Sequence, residues 1–429
     1  MPPGLIRRHT AFRRLWIGQS ISQVGTEIGA LAIPLIAVRT LHASAFGASA
    51  LFAAEYAPYV LVGLPAGAWI DRLRRRPVMI AADVARALAL LALPLAMLTG
   101  TVSLPLLYTV VFVVGVATVF FEVAYQAYLP SVVSHDELVE ANSRMTASRS
   151  VAAAAGPSAG GWVIAALTAP YAVVADSISF LVSAGYVASI RIVEPAVETQ
   201  RQRLLHDIRD GLRVVWRDRL IRTLTLYSAA TSFAVMMIGS IEVYFLVRTV
   251  GLSTVAVGVL FGIASIGSVL GALLAARIRD RLGEIRALVA TTVVAGLGLL
   301  LMPLTGHGVR LVLFALGLGV ASAAIVAFNV VSISMTQRRC PPRMLGRASA
   351  SSRVIGWSTP PLGALAGGAL AGLVGTRVTF LIAGAMFLLC ALILARALDG
   401  VPTEPITVPA QTSDRDSIAS GTGTVWPPS

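Results

Sequence analysis

The sequence predicts an all-α integral membrane protein of twelve transmembrane helices in two six-helix bundles, and three observations predict it. Residues of the types AVILMFWYC make up 56% of the 429 positions and charged residues only 13%, about half the charge of a soluble protein. That apolar share, roughly 240 residues, would fill about twelve spans of about 20 residues each. The apolar runs also divide six and six around one long polar connection. Backbone groups in lipid must bond within their own segment, so long unbroken runs are helices rather than open strands.

Apolar runs place the spans at about 15–38, 46–69, 77–99, 104–128, 145–168, 170–191, 221–247, 253–276, 286–305, 309–334, 349–373 and 376–397. Pro77, Pro105 and Pro170 fall at span ends, whereas Pro94, Pro157 and the pair Pro360–Pro361 fall inside and predict kinks. The expected organisation is an N-terminal bundle over 1–191, a linker over 192–220, a C-terminal bundle over 221–398 and a disordered tail over 399–429. In the linker, Ile208, Leu212, Val215 and Leu220 recur at near-helical spacing among charges, as an amphipathic surface helix requires. The stretch 1–15 runs into the first span without a small-residue cleavage site, so no removable signal peptide is read there.

Charge sets the orientation. All 34 basic residues are Arg, against 21 acids, for a net charge of +13. About thirty arginines sit on one side of the spans, and only Arg39, Arg248, Arg310 and Arg377 on the other. Positive loops stay inside, so both termini are expected in the cytoplasm. Nucleic-acid binders gather their basic residues on a soluble face, which this pattern excludes. Two cysteines, Cys340 and Cys390, make no disulfide framework and no metal cluster. No phosphate loop, metal-ligand spacing or nucleophile constellation points to an enzyme, to ATP or to a cofactor.

The halves match at an offset of 204 residues: Gly67 with Gly271, Gly115 with Gly319, Arg149 with Arg353 and Pro157 with Pro361. Internally repeated bundles with a site between them are the architecture of secondary transporters. Acids inside spans are costly, about 3 kcal/mol each at the membrane centre, so each is a functional candidate. They are Glu27, Glu55, Glu122, Asp176 and Glu242. Gln19, Gln23 and Glu27 repeat every four residues and form one polar stripe on the first span, and Glu122 with Gln126 form another on the fourth. Glu55 is near mid-span. Asp176 and Glu242 lie closer to the arginine-poor side and either reach the headgroups or serve the site. Asn329, Ser332 and Thr336, with Tyr227, Thr231 and Met236, are further candidates from the second half.

The whole membrane part, about 12–398, resembles the major facilitator superfamily. Within it the chain is similar to the twelve-helix exporter branch that contains macrolide efflux pumps and the enterobactin exporter. The resemblance rests on LWIGQSISQVGTEIG, GAWIDRLRRRPVMIAADVAR, YLPSVVSHDELVEANSR and TQRRCPPRMLGRASASSR. Gly67, Asp71 and Arg72 resemble the family's loop signature, with Arg74 where a Gly is usual. The resemblance implies that Asp71 braces the start of the eleventh span, expected just after Gly346–Arg347 with Arg353 a turn in. Gly67 would then allow close helix approach, and Asp83 with Arg86, three apart at the end of the third span, would join the same conformational latch. Gly156, Pro157, Gly160 and Gly161 resemble the core of the family's antiporter motif, although Ser143 and Ala152 replace two of its glycines. Many proton-coupled relatives carry an Arg in the fourth span; residues 104–128 hold none.

The function this implies is proton-coupled export of a bulky amphipathic small molecule, of antibiotic or siderophore type. The expected partners are that substrate, protons and the lipid bilayer, with no nucleic acid. The chain would act as a monomer in a bacterial cytoplasmic membrane. Lysophospholipid flipping, and a sensor that lost transport, are the alternatives.

Overall fold

A computed structural model describes residues 5–70, 72–192, 216, 218–339 and 342–399. Asp71, most of the linker and the tail from 400 onward lie outside the described residues, as do the side chains of Pro157 and Arg353. The linker helix, the Asp71 brace and the tail reading therefore stay as sequence expectations.

After a single turn Leu5–Arg8, the described residues form twelve long helices. The N-terminal bundle comprises α1 (Thr10–Leu35), α2 (Ala45–Leu61, then Gly63–Ile70), α3 (Arg75–Leu98), α4 (Leu104–Val132), α5 (Leu138–Leu167) and α6 (Ala169–Ser189). The C-terminal bundle comprises α7 (Arg219–Tyr244), α8 (Thr254–Leu282), α9 (Glu284–Leu301), α10 (Leu311–Arg339), α11 (Pro342–Val374) and α12 (Thr376–Leu398). Among the described residues, nine helical stretches are long and apolar enough to cross a membrane. The other three, α2, α5 and α11, are the bent or small-residue-rich helices that face the opposite half. Helix α11 begins at Pro342, so Gly346 and Arg347 lie within it and Arg353 is about three turns in, deeper than expected.

Each bundle repeats one packing scheme. Helix α1 packs on α5 and α6 as α7 packs on α11 and α12, and α4 lies against α2 and α3 as α10 lies against α8 and α9. Gly115 on α4 abuts the Glu55 carbonyl of α2, and its repeat Gly319 on α10 faces Ala264 of α8, the same helix pair. The backbone repeats too. Thr168 between α5 and α6 has φ 75° and ψ 163°, and Gly375 between α11 and α12 has φ 87° and ψ 157°. Helices α1 and α7 both end in a π-helical turn, Ile36–Thr40 and Phe245–Thr249.

The halves meet through two equivalent pairs, α2 with α11 and α5 with α8. These contacts lie toward the arginine-poor face. There, the core under the N-terminal bundle takes in Val243, Val247 and Phe261, and that under the C-terminal bundle takes in Ala45. Toward the arginine-rich face, two further cores, around Phe12, Met79 and Tyr128 and around Leu224, Phe328 and Leu394, each draw on one half alone among the described residues. Among the described residues, the halves thus close together on the arginine-poor face, and no shared core joins them on the other.

Candidate functional site

The arginine-rich side holds a cavity of about 630 Å³ walled by α1, α4 and α5. Four sequence candidates line it: Gln19 and Gln23 from α1, Glu122 and Gln126 from α4. The four-residue spacing of each stripe puts the paired side chains on one helix face, so two helices supply two polar rungs apiece. Tyr125, Asn142, Met145, Thr146 and Arg149 complete much of the wall. Arg149 of α5 stands 3.9 Å from the Glu122 carboxylate. It entered the sequence reading only as a member of a repeat pair; its place opposite an acid on another helix has no local signature. Gln19 is also pinned, donating to Ser183 Oγ of α6 at 3.3 Å, while Trp16 Nε1 donates to Ser148 Oγ of α5 at 2.8 Å. These bonds hold α1 between its two neighbours.

Glu27 lies two turns beyond Gln19 on the same helix, half-buried, and its Cβ rests on Gly156 of α5. Any side chain at Gly156 would displace it. The next turn repeats the contact, since a Cβ on Gly160 would lie 2.9 Å from the Ile28 carbonyl. On the other side of α5, a Cβ on Gly161 would lie 2.5 Å from Gly258 Cα of α8. The small-residue motif therefore joins the leading acidic candidate to the contact between halves through one helix. Tyr56 of α2 follows Glu55, which is exposed. The Tyr56 ring stacks on Tyr59 at 6.0 Å.

Asp83 and Arg86 pair with each other, and both are buried, with side-chain exposures of 0% and 7%. The Arg86 guanidinium is sandwiched between Phe121 of α4 and Phe180 of α6, 4.5 and 4.2 Å from the ring centroids. These partners all belong to the N-terminal bundle, so the pair braces helices of one half rather than reaching across the halves as a latch. A cation between two ring faces is attracted by both quadrupoles, and the Asp offsets the cost of burying it. Gly67 also departs from expectation: a Cβ there would meet nothing within 4 Å among the described residues. Helix α2 is interrupted at Val62, and its second segment packs on α4, with Trp69 stacked 5.9 Å from Phe120 and Ile70 buried.

Asp176 does not reach toward headgroups. It is 6% exposed on α6 and faces α1, where Gly29 leaves it room and Thr26 Oγ1 donates to it at 3.5 Å. Glu242 is half-buried on α7. Tyr227 belongs to packing, with its hydroxyl 2.7 Å from Thr292 and its ring stacked 4.2 Å from Phe328. Asn329 is exposed on α10 and does not line the cavity.

This geometry is that of a two-bundle carrier with an entry on one face. A family model described as Major Facilitator Superfamily matches residues 15–359 and again 224–428. An uncharacterised MFS-type transporter of Bacillus subtilis is 24% identical over 404 residues, covering 92% of this chain and 94% of the relative. Macrolide efflux protein A of Streptococcus pyogenes is 20% identical over 387 residues, with 89% and 94% covered. The multidrug efflux pump Tap of Mycolicibacterium fortuitum is 27% identical over 376 residues, with 83% and 88% covered. Among solved structures, a bacterial homologue of the iron transporter ferroportin in an inward-facing state superposes with a TM-score of 0.69 at 16% identity, covering 92% of this chain and 99% of that one. A bacterial homologue of the human lysosomal transporter Spinster gives 0.69 at 13% identity, covering 90% and 96%. The expected fold and resemblance hold, and with family matches running through both bundles this chain belongs to the Major Facilitator Superfamily, as a multi-pass membrane transporter of small molecules and not an enzyme.

Proposed function

We propose that the protein exports bulky amphipathic small molecules, of antibiotic or siderophore type, by proton-coupled alternating access. The observation that carries this reading is the polar cavity open toward the arginine-rich face, which is the cytoplasmic face under the positive-inside rule. A substrate enters there from the cytoplasm and meets amides and a Glu122–Arg149 pair that can exchange partners with it. Efflux-named relatives at 20% and 27% identity support the direction.

Glu27 carries the proton in this scheme. Its neutral and charged forms favour different packing against Gly156, and α5 relays the difference to Gly258. One charge moved through 100 mV yields about 2.3 kcal/mol, enough to drive a substantial gradient.

The test is drug accumulation in cells lacking their own pumps, with wild type and Glu27→Gln, each with and without a protonophore. Wild type lowers accumulation, and protonophore and mutation each restore it. Export that survives Glu27→Gln yet fails with protonophore moves the proton to Glu55 or Glu122. No effect of wild type on any amphiphile removes drug export and directs attention to lysolipids, measured in labelled vesicles.

A further inference from the structure

The arginine-poor face repeats a short motif at an offset of its own, Val38-Arg39-Thr40 through Ser44 against Val247-Arg248-Thr249 through Ser253. Each copy is the π-helical end of a first helix, followed by a tight turn and a serine that caps the next helix. Each arginine crosses to the other half: Arg39 Nη2 donates to the Leu252 carbonyl at 2.7 Å, and Arg248 Nη2 to the Val38 carbonyl at 2.7 Å. The connections on this face, 40–44, 99–103, 168, 250–253, 305–310 and 375, contain no Asp or Glu. The two crossing arginines are therefore held by carbonyls, which do not titrate.

The copies differ at three positions, Leu41/Val250, His42/Gly251 and Ala43/Leu252, and the middle one sets the turn. The left-handed turn position is Gly251 in the second half, with φ 76°, and His42 in the first, with φ 52°. Glycine takes this conformation freely and a side chain does not. The histidine placed there brings Nδ1 to 2.6 Å from Arg248 Nη2. Arginine can only donate, so Nδ1 must be the unprotonated acceptor. Arg248 faces it and Arg39 lies on its own element, and the other titratable or charged side chains of this face's connections, His307 beside Gly251, Arg310 and Arg377, include no acid. The nearest acid on α7, Glu242, lies six residues before Arg248. A proton on His42 would remove an acceptor and set a cation against Arg248 with no carboxylate to absorb it.

We propose that Arg39 and Arg248 lock the outer gate by reciprocal bonds to backbone carbonyls, and that His42 makes the lock release when the outside turns acid. Histidine changes charge between about pH 5 and 8. The acid side of the membrane is then the side on which the gate opens, and the direction of the effect rests on the orientation proposed above.

The experiment is pulsed electron resonance on purified protein in lipid nanodiscs. Spin labels go on Thr101→Cys and Val309→Cys, exposed on the outer loops of opposite halves, with Cys340→Ser and Cys390→Ala. Wild type is expected to gain a longer-distance, outer-open population severalfold on going from about pH 7.5 to about pH 5.5, across the histidine range. His42→Asn, which keeps an acceptor and tolerates the left-handed turn, should stay closed at both. Arg39→Ala and Arg248→Ala should each open the gate at both pH values, and Arg310→Ala should not. A pH-independent wild type, or an acid response kept in His42→Asn, overturns the switch. Unchanged distances in both arginine variants overturn the lock. Glu27→Gln separates this from the export scheme: an acid response lost there but kept in His42→Asn assigns the sensor to the coupling acid instead.

Discussion

The two halves share a fold and differ in charge. In the N-terminal bundle, Glu27, Glu55, Glu122, Asp176 and the Asp83–Arg86 pair stand within the helices, whereas the spans of the C-terminal bundle contain the single acid Glu242. Tyr227 and Phe328 take corresponding interior space in packing. In-span acids are concentrated in one repeat, while the spans of the other are almost wholly apolar.

The largest test of that division is at the buried pair. Arg86→Leu leaves the Asp83 carboxylate among apolar side chains, and should destabilise by about 3–5 kcal/mol, as breaking one side of a buried pair does. Thermal unfolding in detergent reads this, and adding Asp83→Asn should recover part of the loss. Glu242→Gln in the other half should shift the midpoint far less. A small effect of Arg86→Leu would mean that the charged core is dispensable and the contrast between halves superficial.

A middle-sized effect sharpens the comparison where the halves share a backbone. Thr168 holds a conformation that Gly375 holds in the other repeat, in a region that costs a residue with a side chain about 1–3 kcal/mol. Thr168→Gly should raise stability and Gly375→Thr lower it, each by about 1 kcal/mol or more. Equal midpoints for both variants would show that the two turns are not equivalent in energy.

The smallest effect lies at the start of α5. The Ser134 hydroxyl beside Glu137 holds its carboxyl below the ordinary range, with His9 adding to this. A depressed carboxyl stabilises above its ordinary value, and that contribution is lost as pH falls through the lowered one. Amide exchange across residues 134–141, corrected for intrinsic pH dependence, should quicken over that acidic window and lose its pH step in Glu137→Gln. The group is solvent-exposed, so the change should be small.

Much of the fold was legible because lipid imposes long helices and arginines mark their connections. Each of the twelve spans falls on one long helix of the structure, several overrunning it by one or two residues. Gln19, Gln23, Glu122 and Gln126 of the two polar stripes line one cavity, while Glu27 does not. What the sequence hid was contact across helices. Nothing local distinguishes Arg149, which meets Glu122, from the topological arginines around it. Asp83 and Arg86 looked like a pair at a membrane edge because their aromatic partners are distant in sequence. The crossing arginines were counted only for orientation, since their motif repeats at a different offset from the glycine pairs. A length difference inside one repeat relative to the other breaks a single register, and so conceals part of the symmetry.

The meeting of Gly161 with Gly258 has a mechanical consequence. Interdigitated side chains hold two helices in register, whereas two bare backbones can roll on each other like a bearing. Gly161 lies 23 residues after the start of α5 and 6 before its end. At about 1.5 Å per residue the arms are roughly 35 and 9 Å. A rigid helix turning on that fulcrum magnifies motion about fourfold, so a slip of about 1 Å at the closed end swings the far end by about 4 Å.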